Sequence, residues 1–211
     1  MEFEKLVKER TTIRKFSSEP IDDSIIKEIL EIATCACNSG NAQNWEFVVV
    51  NDQNTKQKIS DILSCKANVL NQAIQTKRII YEEYSPQEFY LNAPVIIFAF
   101  ATGKYETKAD IIMEKLGHSK ERIVDLRSRG DIQTVAAAIQ LILLAAWAKG
   151  IGGCWMTGPL YARYELEEFF KIDYDKSLVA MIPLGRPMII PKKQSRKDLE
   201  QVVRFFKNND S

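Results

Sequence analysis

Asp131-Ile-Gln-Thr-Val-Ala-Ala-Ala-Ile-Gln-Leu-Ile-Leu-Leu-Ala-Ala-Trp-Ala-Lys-Gly-Ile-Gly-Gly-Cys-Trp-Met-Thr-Gly-Pro159 is an almost wholly apolar segment that runs directly into a glycine cluster. Asp131 is a good N-cap, Ile132 to Ala148 carries only Gln133, Thr134 and Gln140 as polar side chains, and Gly150 stands where a helix takes its left-handed stop. The segment predicts a buried helix. A surface helix shows an apolar stripe about 100° wide, whereas Val135, Ala138, Ile139, Leu141, Ile142, Leu143 and Trp147 go round every face. Other elements must therefore enclose it. A membrane span fails on length, because the run from Val135 to Ala148 is interrupted by Gln140 and falls short of the roughly 20 residues that cross hydrocarbon.

Composition bounds what such a core can serve. The 211 residues fit one domain, 1–211, and can bury a sizeable core. Lys plus Arg number 29 against 28 Asp plus Glu, a formal net charge of +1, so no bulk attraction to nucleic acid or anionic lipid is implied. Any anion site must be local. The opening Met1-Glu2-Phe3-Glu4-Lys5 has no basic region leading into an apolar core, and the expected address is the cytoplasm, with no membrane partner. Cys35, Cys37, Cys65 and Cys154 are too few and too irregular for a disulfide framework, and no second pair or histidine cluster joins them. Reduced thiols and no metal are expected.

Working outward from the central helix, Pro94 to Ala101 is an uninterrupted apolar run that predicts a strand covered on both faces, and Leu178 to Leu184 predicts another. Trp45 to Val50 predicts a third. Helical spacing is read over Glu2 to Glu9, from Pro20 with Asp22 and Asp23 in the first turn, over Thr55 to Ser85 with a break near Cys65-Lys66, and around Glu165 to Phe170. Leu199, Val202, Val203 and Phe206 predict a short amphipathic helix. Gly103 to Gly130 carries charge of both signs and His118, shows no strong period, and is read as a mobile excursion. Helices on both sides of a mostly buried sheet follow from this pattern.

Chemistry concentrates in four places. Arg10-Thr11-Thr12-Ile13-Arg14-Lys15-Phe16 puts three cations and two hydroxyls in seven residues. If extended, it shows Arg10, Thr12 and Arg14 on one side, two forked donors and a hydroxyl suited to phosphate; a solvated basic loop is the plain alternative. Lys192-Lys193-Gln194-Ser195-Arg196-Lys197 is a second cationic cluster. The loop Cys35 to Asn44 is dense in short polar side chains and hardly charged, suited to hydrogen-bonding a neutral heteroaromatic rim, or simply a turn. The glycine cluster after the central helix is the fourth. No Gly-x-Ser-x-Gly elbow, P-loop, dinucleotide fingerprint or iron–sulfur spacing is present, and no acid, base or nucleophile stands out. Such an inventory suits a cofactor that brings its own chemistry.

At these residues the chain resembles the FMN-dependent nitroreductase family. Arg10 to Phe16 is similar to that family's opening Arg-x-Ser/Thr-x-Arg/Lys-x-Phe motif, and Asn38-Ser39-Gly40-Asn41-Ala42-Gln43-Asn44-Trp45 to its Ser-x-x-Asn-x-Gln-Pro-Trp loop before a strand. Asp131 through Trp155 resembles its central helix and Gly-Leu-Gly-x-x-Trp turn. Val179 to Pro187 with Ser195-Arg196-Lys197 resembles its closing strand and phosphate contact. The resemblance implies an α+β fold with a mixed central sheet and helices on both faces, intertwined as a homodimer with FMN at the interface. It further implies reduction by NADH or NADPH and reoxidation by a nitroaromatic, quinone or similar small-molecule acceptor in a ping-pong cycle, with no catalytic side chain beyond those that hold the flavin. By motif position, Arg10 and Thr12 with Arg196 are expected at the FMN phosphate, Thr11 among the cofactor-binding residues, and Arg14 at the pyrimidine edge. Asn38, Ser39 and Asn41 are expected to reach the partner's flavin, and Thr157 and Gly158 to face N5 and O4. Departures are Asn44 in place of the proline before Trp45, Cys37 where proline is frequent, and no motif match for a second pyrimidine-edge cation, for which Lys77 and Arg78 are available. Specialised readings are an enone reductase, a reductive dehalogenase, or a flavin-binding redox sensor using Cys37.

Overall fold

The computed structural model describes residues 2–77, 82, 84–103 and 106–206; Arg78 lies outside them. Helix α6, Gly130–Ala148, is enclosed as its apolar surface requires, with Val135, Ala138, Ile139, Ile142 and Ala146 wholly buried. Its stop is the expected one. Gly150 takes φ +74°, its N–H donates to the Trp147 carbonyl at 3.0 Å, and the Ile151 N–H donates to the Ala146 carbonyl at 2.9 Å, which satisfies two carbonyls that a helix end leaves orphaned. Its start differs from expectation. The N-cap is Arg129, in the left-handed region, and Asp131 lies in the first turn. There its carboxylate accepts two hydrogen bonds from the Arg129 guanidinium, at 3.2 and 3.0 Å, and still opposes the positive helix end. Among the described residues α6 is the one helix long and apolar enough to cross a membrane, and half of that window is buried inside the protein.

The sheet against α6 has the order β1 (Trp45–Val50), β2 (Val95–Thr102), β4 (Lys176–Gly185), β3 (Gly152–Gly153). Among the described residues every strand pair is antiparallel, which corrects the mixed sheet expected above; parallel pairing there is confined to a single bridge from Thr12 to Gly153. Alternation along β2 divides the interior in two. Ile97, Ala99 and Ala101 join Ile139 and Ile142 of α6 and Ile29 of α2 (Asp23–Ala33) in one core. Ile96, Phe98 and Phe100 join Ile59 and Leu63 of α3 (Gln53–Thr76) and Leu166 of α7 (Arg163–Phe169) in the other.

Helix α3 runs through Cys65-Lys66 without a break. The polar pair marks an outward flank: Cys65 is exposed and the Lys66 Nζ reaches Glu165 at 2.5 Å. At the other end Asp52 caps α3 by accepting from the Thr55 N–H at 2.8 Å. The buried Lys56 Nζ donates to the Ala93 and Pro94 carbonyls at 2.6 and 2.9 Å, tying α3 to the start of β2, and burial lowers its pKa. The segment read as a mobile excursion holds two helices, α4 (Lys108–Lys115) and α5 (Lys120–Leu126). A Thr107–Asp110 capping box and an Arg127–Asp110 ion pair of 2.5 Å fix their ends. Helix α1, Phe3–Glu9, forms where expected. The amphipathic helix near the C-terminus does not: residues 188–206 are exposed throughout and carry only a 3-10 turn, Leu199–Gln201. An amphipathic helix needs a surface for its apolar side, and this chain offers that segment none.

Candidate functional site

Two glycines dock the N-terminal cations onto the end of the α6 hub. Ile13 donates its N–H to the Gly153 carbonyl at 3.0 Å and is wholly buried. A Cβ on Gly152 would stand 2.3 Å from Ile13 Cγ1, so no larger residue lets Ile13 seat. With Ile13 turned inward, Arg10, Thr11 and Thr12 stay partly accessible and Arg14 is exposed. Arg14 then borders a cavity of about 330 Å³, together with Cys154, Trp155, Met156, Thr157 and Gly158 from the turn after β3. Tyr84, Phe89 and Tyr161 also line it.

The turn presents backbone rather than side chains. Gly158 opens a 3-10 helix, Gly158–Ala162, behind Thr157, and the first N–H groups of a helix have no partner within it. A Cβ on Gly158 would meet no heavy atom within 4 Å, so its backbone stands against open space.

The electrostatics are those of an anion site. Burial lowers the Arg10 pKa, and the nearby charge of Arg196 lowers it further, which shows that the two cationic clusters, distant in sequence, converge. Among the described residues none of Arg10, Arg14 and Arg196 has a carboxylate ion-pair partner. Like charges held together without a counter-charge favour an anionic ligand. The Arg14 guanidinium also lies 6.0 Å from the Phe89 ring centre. Burial pushes the Cys154 thiol up, and Arg14 and Arg10 only partly offset it, so Cys154 is a neutral thiol on the cavity wall.

The loop residues lie elsewhere. Ser39–Asn41 is a 3-10 turn with Gly40, Asn41 and Gln43 in the left-handed region. The Asn38 side chain braces it, donating to the Ala36 carbonyl at 3.1 Å and accepting from the Gln43 N–H at 2.9 Å. Ser39 and the buried Asn44 border a second cavity of about 490 Å³, with Asp110, Arg127 and Asp131 on its far side. Within one chain, therefore, the two sets of expected site residues do not meet. Cys35 and Cys37 are exposed, and no His, Cys, Asp and Glu grouping among the described residues could hold a metal. Lys77 is exposed at the end of α3 and does not border the Arg14 cavity. Sequence reasoning missed Leu63, Tyr84, Phe89 and Tyr161, which no short motif marks because long-range packing brings them together.

An antiparallel sheet covered by helices, with Arg14 on a cavity at the turn after α6, defines an α+β protein with a cationic cleft. Comparison with known proteins turns that class into a family. The nitroreductase family model matches residues 7–186, and the chain belongs to this family of oxidoreductases. YfhC of Bacillus subtilis, assigned as an NAD(P)H nitroreductase, is 24% identical over 206 residues, covering 90% of this chain and 87% of YfhC. Iodotyrosine deiodinase 1 of Rattus norvegicus is 30% identical over 210 residues, covering 96% of this chain and 68% of the deiodinase. A BluB-like flavoprotein from Clostridium difficile 630 has the same fold, with a TM-score of 0.85 and 28% identity over 98% of this chain and all of that one.

Proposed function

We propose that this protein, as a single 1–211 domain, is a cytoplasmic flavoprotein that uses FMN to carry reducing equivalents from NADH or NADPH to an electron-poor organic acceptor. The observation that supports it most is that Arg10 feels the charge of Arg196 and, with Arg14, acts on Cys154 at the cavity after α6, none of the three having a carboxylate partner among the described residues. The donor set fits FMN: guanidiniums for a phosphate and open backbone at Gly158 for the ring edge. When bound, FMN supplies the redox chemistry, taking a hydride from the nicotinamide and giving electrons to the acceptor in a ping-pong cycle.

The chain's own residues bind and orient. Arg10 and Arg196, with Thr12, would hold the phosphate through charge-assisted hydrogen bonds, and Thr11 would lie beside them at the cofactor. Arg14 would place a fixed positive charge at the pyrimidine edge, where a reduced ring gains negative charge. Thr157 and Gly158 would offer backbone N–H groups to the central ring. Asn38, Ser39 and Asn41, apart from this cavity within one chain, would complete it from the second chain of a homodimer. The exposed tail supports that assembly: Phe205 and Phe206 are 85% and 78% accessible, apolar surface that a second chain would cover.

Purified protein is expected to be yellow, to bleach on addition of NADH or NADPH, and to recover its colour with a nitroaromatic or a quinone. Protein that stays colourless after addition of FMN would overturn the reading. A second reading, reductive removal of a halogen from a halogenated phenol, is favoured by the 30% identity to the rat deiodinase. Faster reoxidation by an iodinated tyrosine than by any nitroaromatic or quinone would select it.

A further inference from the structure

The cavity at the Cys154–Gly158 turn is also lined by the aromatic side chains Tyr84, Phe89 and Tyr161, which neither the motifs nor the proposed flavin contacts use. One of them, Tyr84, is positioned by a single side chain from α3. Asn71 Nδ2 donates to the Tyr84 carbonyl at 2.9 Å, and the Tyr84 N–H donates to Asn71 Oδ1 at 2.7 Å. An amide that donates and accepts in one plane fixes both the place and the tilt of the peptide it grips. The Tyr84 ring then meets Tyr161 edge-on, with centroids 4.9 Å apart and an interplanar angle of 76°. Tyr161 is tied to the same helix, its hydroxyl donating to the Leu63 carbonyl at 3.0 Å. Helix α3 thus sets both rings.

The two tyrosines are not equivalent. The Tyr161 hydroxyl is engaged with α3, and the neighbouring Tyr90 is only 1% accessible. Tyr84 borders the cavity yet keeps 37% of its surface accessible, so part of its ring is not used by packing within the chain. A ring held at its backbone, with two side-chain torsions, loses little entropy on contacting a ligand. Aromatic rings prefer offset-stacked or edge-to-face partners, and the ligand that such a wall discriminates is another flat ring.

We infer that Tyr84, presented by Asn71, is the acceptor-selecting residue of this cavity, and that the acceptors it favours are planar aromatic molecules stacked or set edge-on against its ring. The inference rests on reading the cavity as the flavin and acceptor site. Asn71 acts as a positioning residue through Tyr84, and neither side chain takes part in holding FMN.

The test compares the oxidised protein and its Tyr84→Ala, Tyr84→Phe and Asn71→Ala variants. FMN content and the dissociation constant for 4-nitrobenzoate are measured by calorimetry without turnover. Reoxidation of dithionite-reduced protein by 4-nitrobenzoate and by ferricyanide, which needs no ring contact, is then followed. Tyr84→Ala should weaken 4-nitrobenzoate binding about tenfold, the scale of one aromatic pair, while FMN content and the ferricyanide rate stay at wild type. Tyr84→Phe should stay within about threefold of wild type, since the ring is kept, and Asn71→Ala should fall between the two. Unchanged 4-nitrobenzoate affinity in Tyr84→Ala, or equal loss with ferricyanide, would overturn the inference. If Asn71→Ala fails to fold, the two Tyr84 variants decide. If wild-type protein binds no FMN, the proposed function falls, while the Tyr84 dependence of 4-nitrobenzoate binding still decides this point.

Discussion

Helix α6 and the tail after Gly185 are both rich in apolar side chains, and they meet opposite fates. In α6, Val135, Ile139 and Ile142 are wholly buried between the sheet and α2, whereas Ile190, Phe205 and Phe206 in the tail are 65%, 85% and 78% accessible. Apolar content is the same kind of signal in both places, but burial needs a partner surface, and one chain supplies it only to α6. The hub is packed by contacts within the chain, whereas the tail's apolar side chains are left open to solvent. Arg196 lies in the tail and bears on Arg10 beside the hub, so the proposed cofactor site joins a packed region to an exposed one.

Substitutions in the hub should have the largest effect. Ile142→Ala is expected to lower unfolding stability by about 2–5 kcal/mol, the range for emptying a fully buried aliphatic site, in denaturant titration. A cost under about 1 kcal/mol would mean that the hub is not the packed centre described above. In the tail, Phe205→Ala with Phe206→Ala should change the unfolding of the isolated chain by less than about 0.5 kcal/mol, because both rings are exposed. The same pair should weaken self-association at least tenfold, a scale set by the loss of large aromatic contacts, in sedimentation runs over a concentration series. Unaltered association would show that the tail is not part of the interface.

The smallest effect is electrostatic. At the start of α6 the Asp131 carboxyl is held below the usual range: burial works to raise it, but the Arg129 hydrogen bonds and charge prevail. A carboxylate with a depressed folded pKa adds stability that is present above its unfolded value, near 3.8, and is lost as pH falls through the lower folded value. Asp131→Asn should therefore cost up to about 1 kcal/mol near neutral pH, as for a partly exposed pair at a helix start. The difference from wild type should close below pH 3.8. A gap that persists in acid would assign the effect to packing.

What the sequence makes legible divides along the same line. Trp45–Val50 is readable to the residue and Val95–Thr102 to within one, because an apolar run flanked by polar residues states its own strand. The stop at Gly150 is equally local, since a left-handed turn demands that residue type. Features that depend on distant partners are not legible. Cys65-Lys66 reads as a break until Glu165 is seen beside it. The amphipathic period of Leu199 to Phe206 promises a helix whose apolar side has no surface in the chain. Asn71 and Tyr84 lie 13 positions apart and belong to no motif, so their double hydrogen bond is visible only in three dimensions. In the candidate site, motif spacing points to Arg10, Arg14, Thr157 and Gly158 because they lie on short stretches docked at one turn, while Tyr84, Phe89 and Tyr161 reach the cavity from separate segments that no motif marks.

The central claim is that the unpaired guanidiniums at the end of the α6 hub hold the phosphate of FMN. It is tested most directly by titrating the flavin-free protein, wild type and Arg10→Ala, with FMN and with riboflavin, which differs only in lacking the phosphate. Wild type should bind FMN at least tenfold more tightly than riboflavin. Arg10→Ala should lose about 1.5–3 kcal/mol of FMN affinity, the range for a charge-assisted hydrogen bond, while its riboflavin affinity stays the same. Equal binding of the two flavins by wild type, or an Arg10→Ala variant that binds FMN as wild type does, would contradict the account.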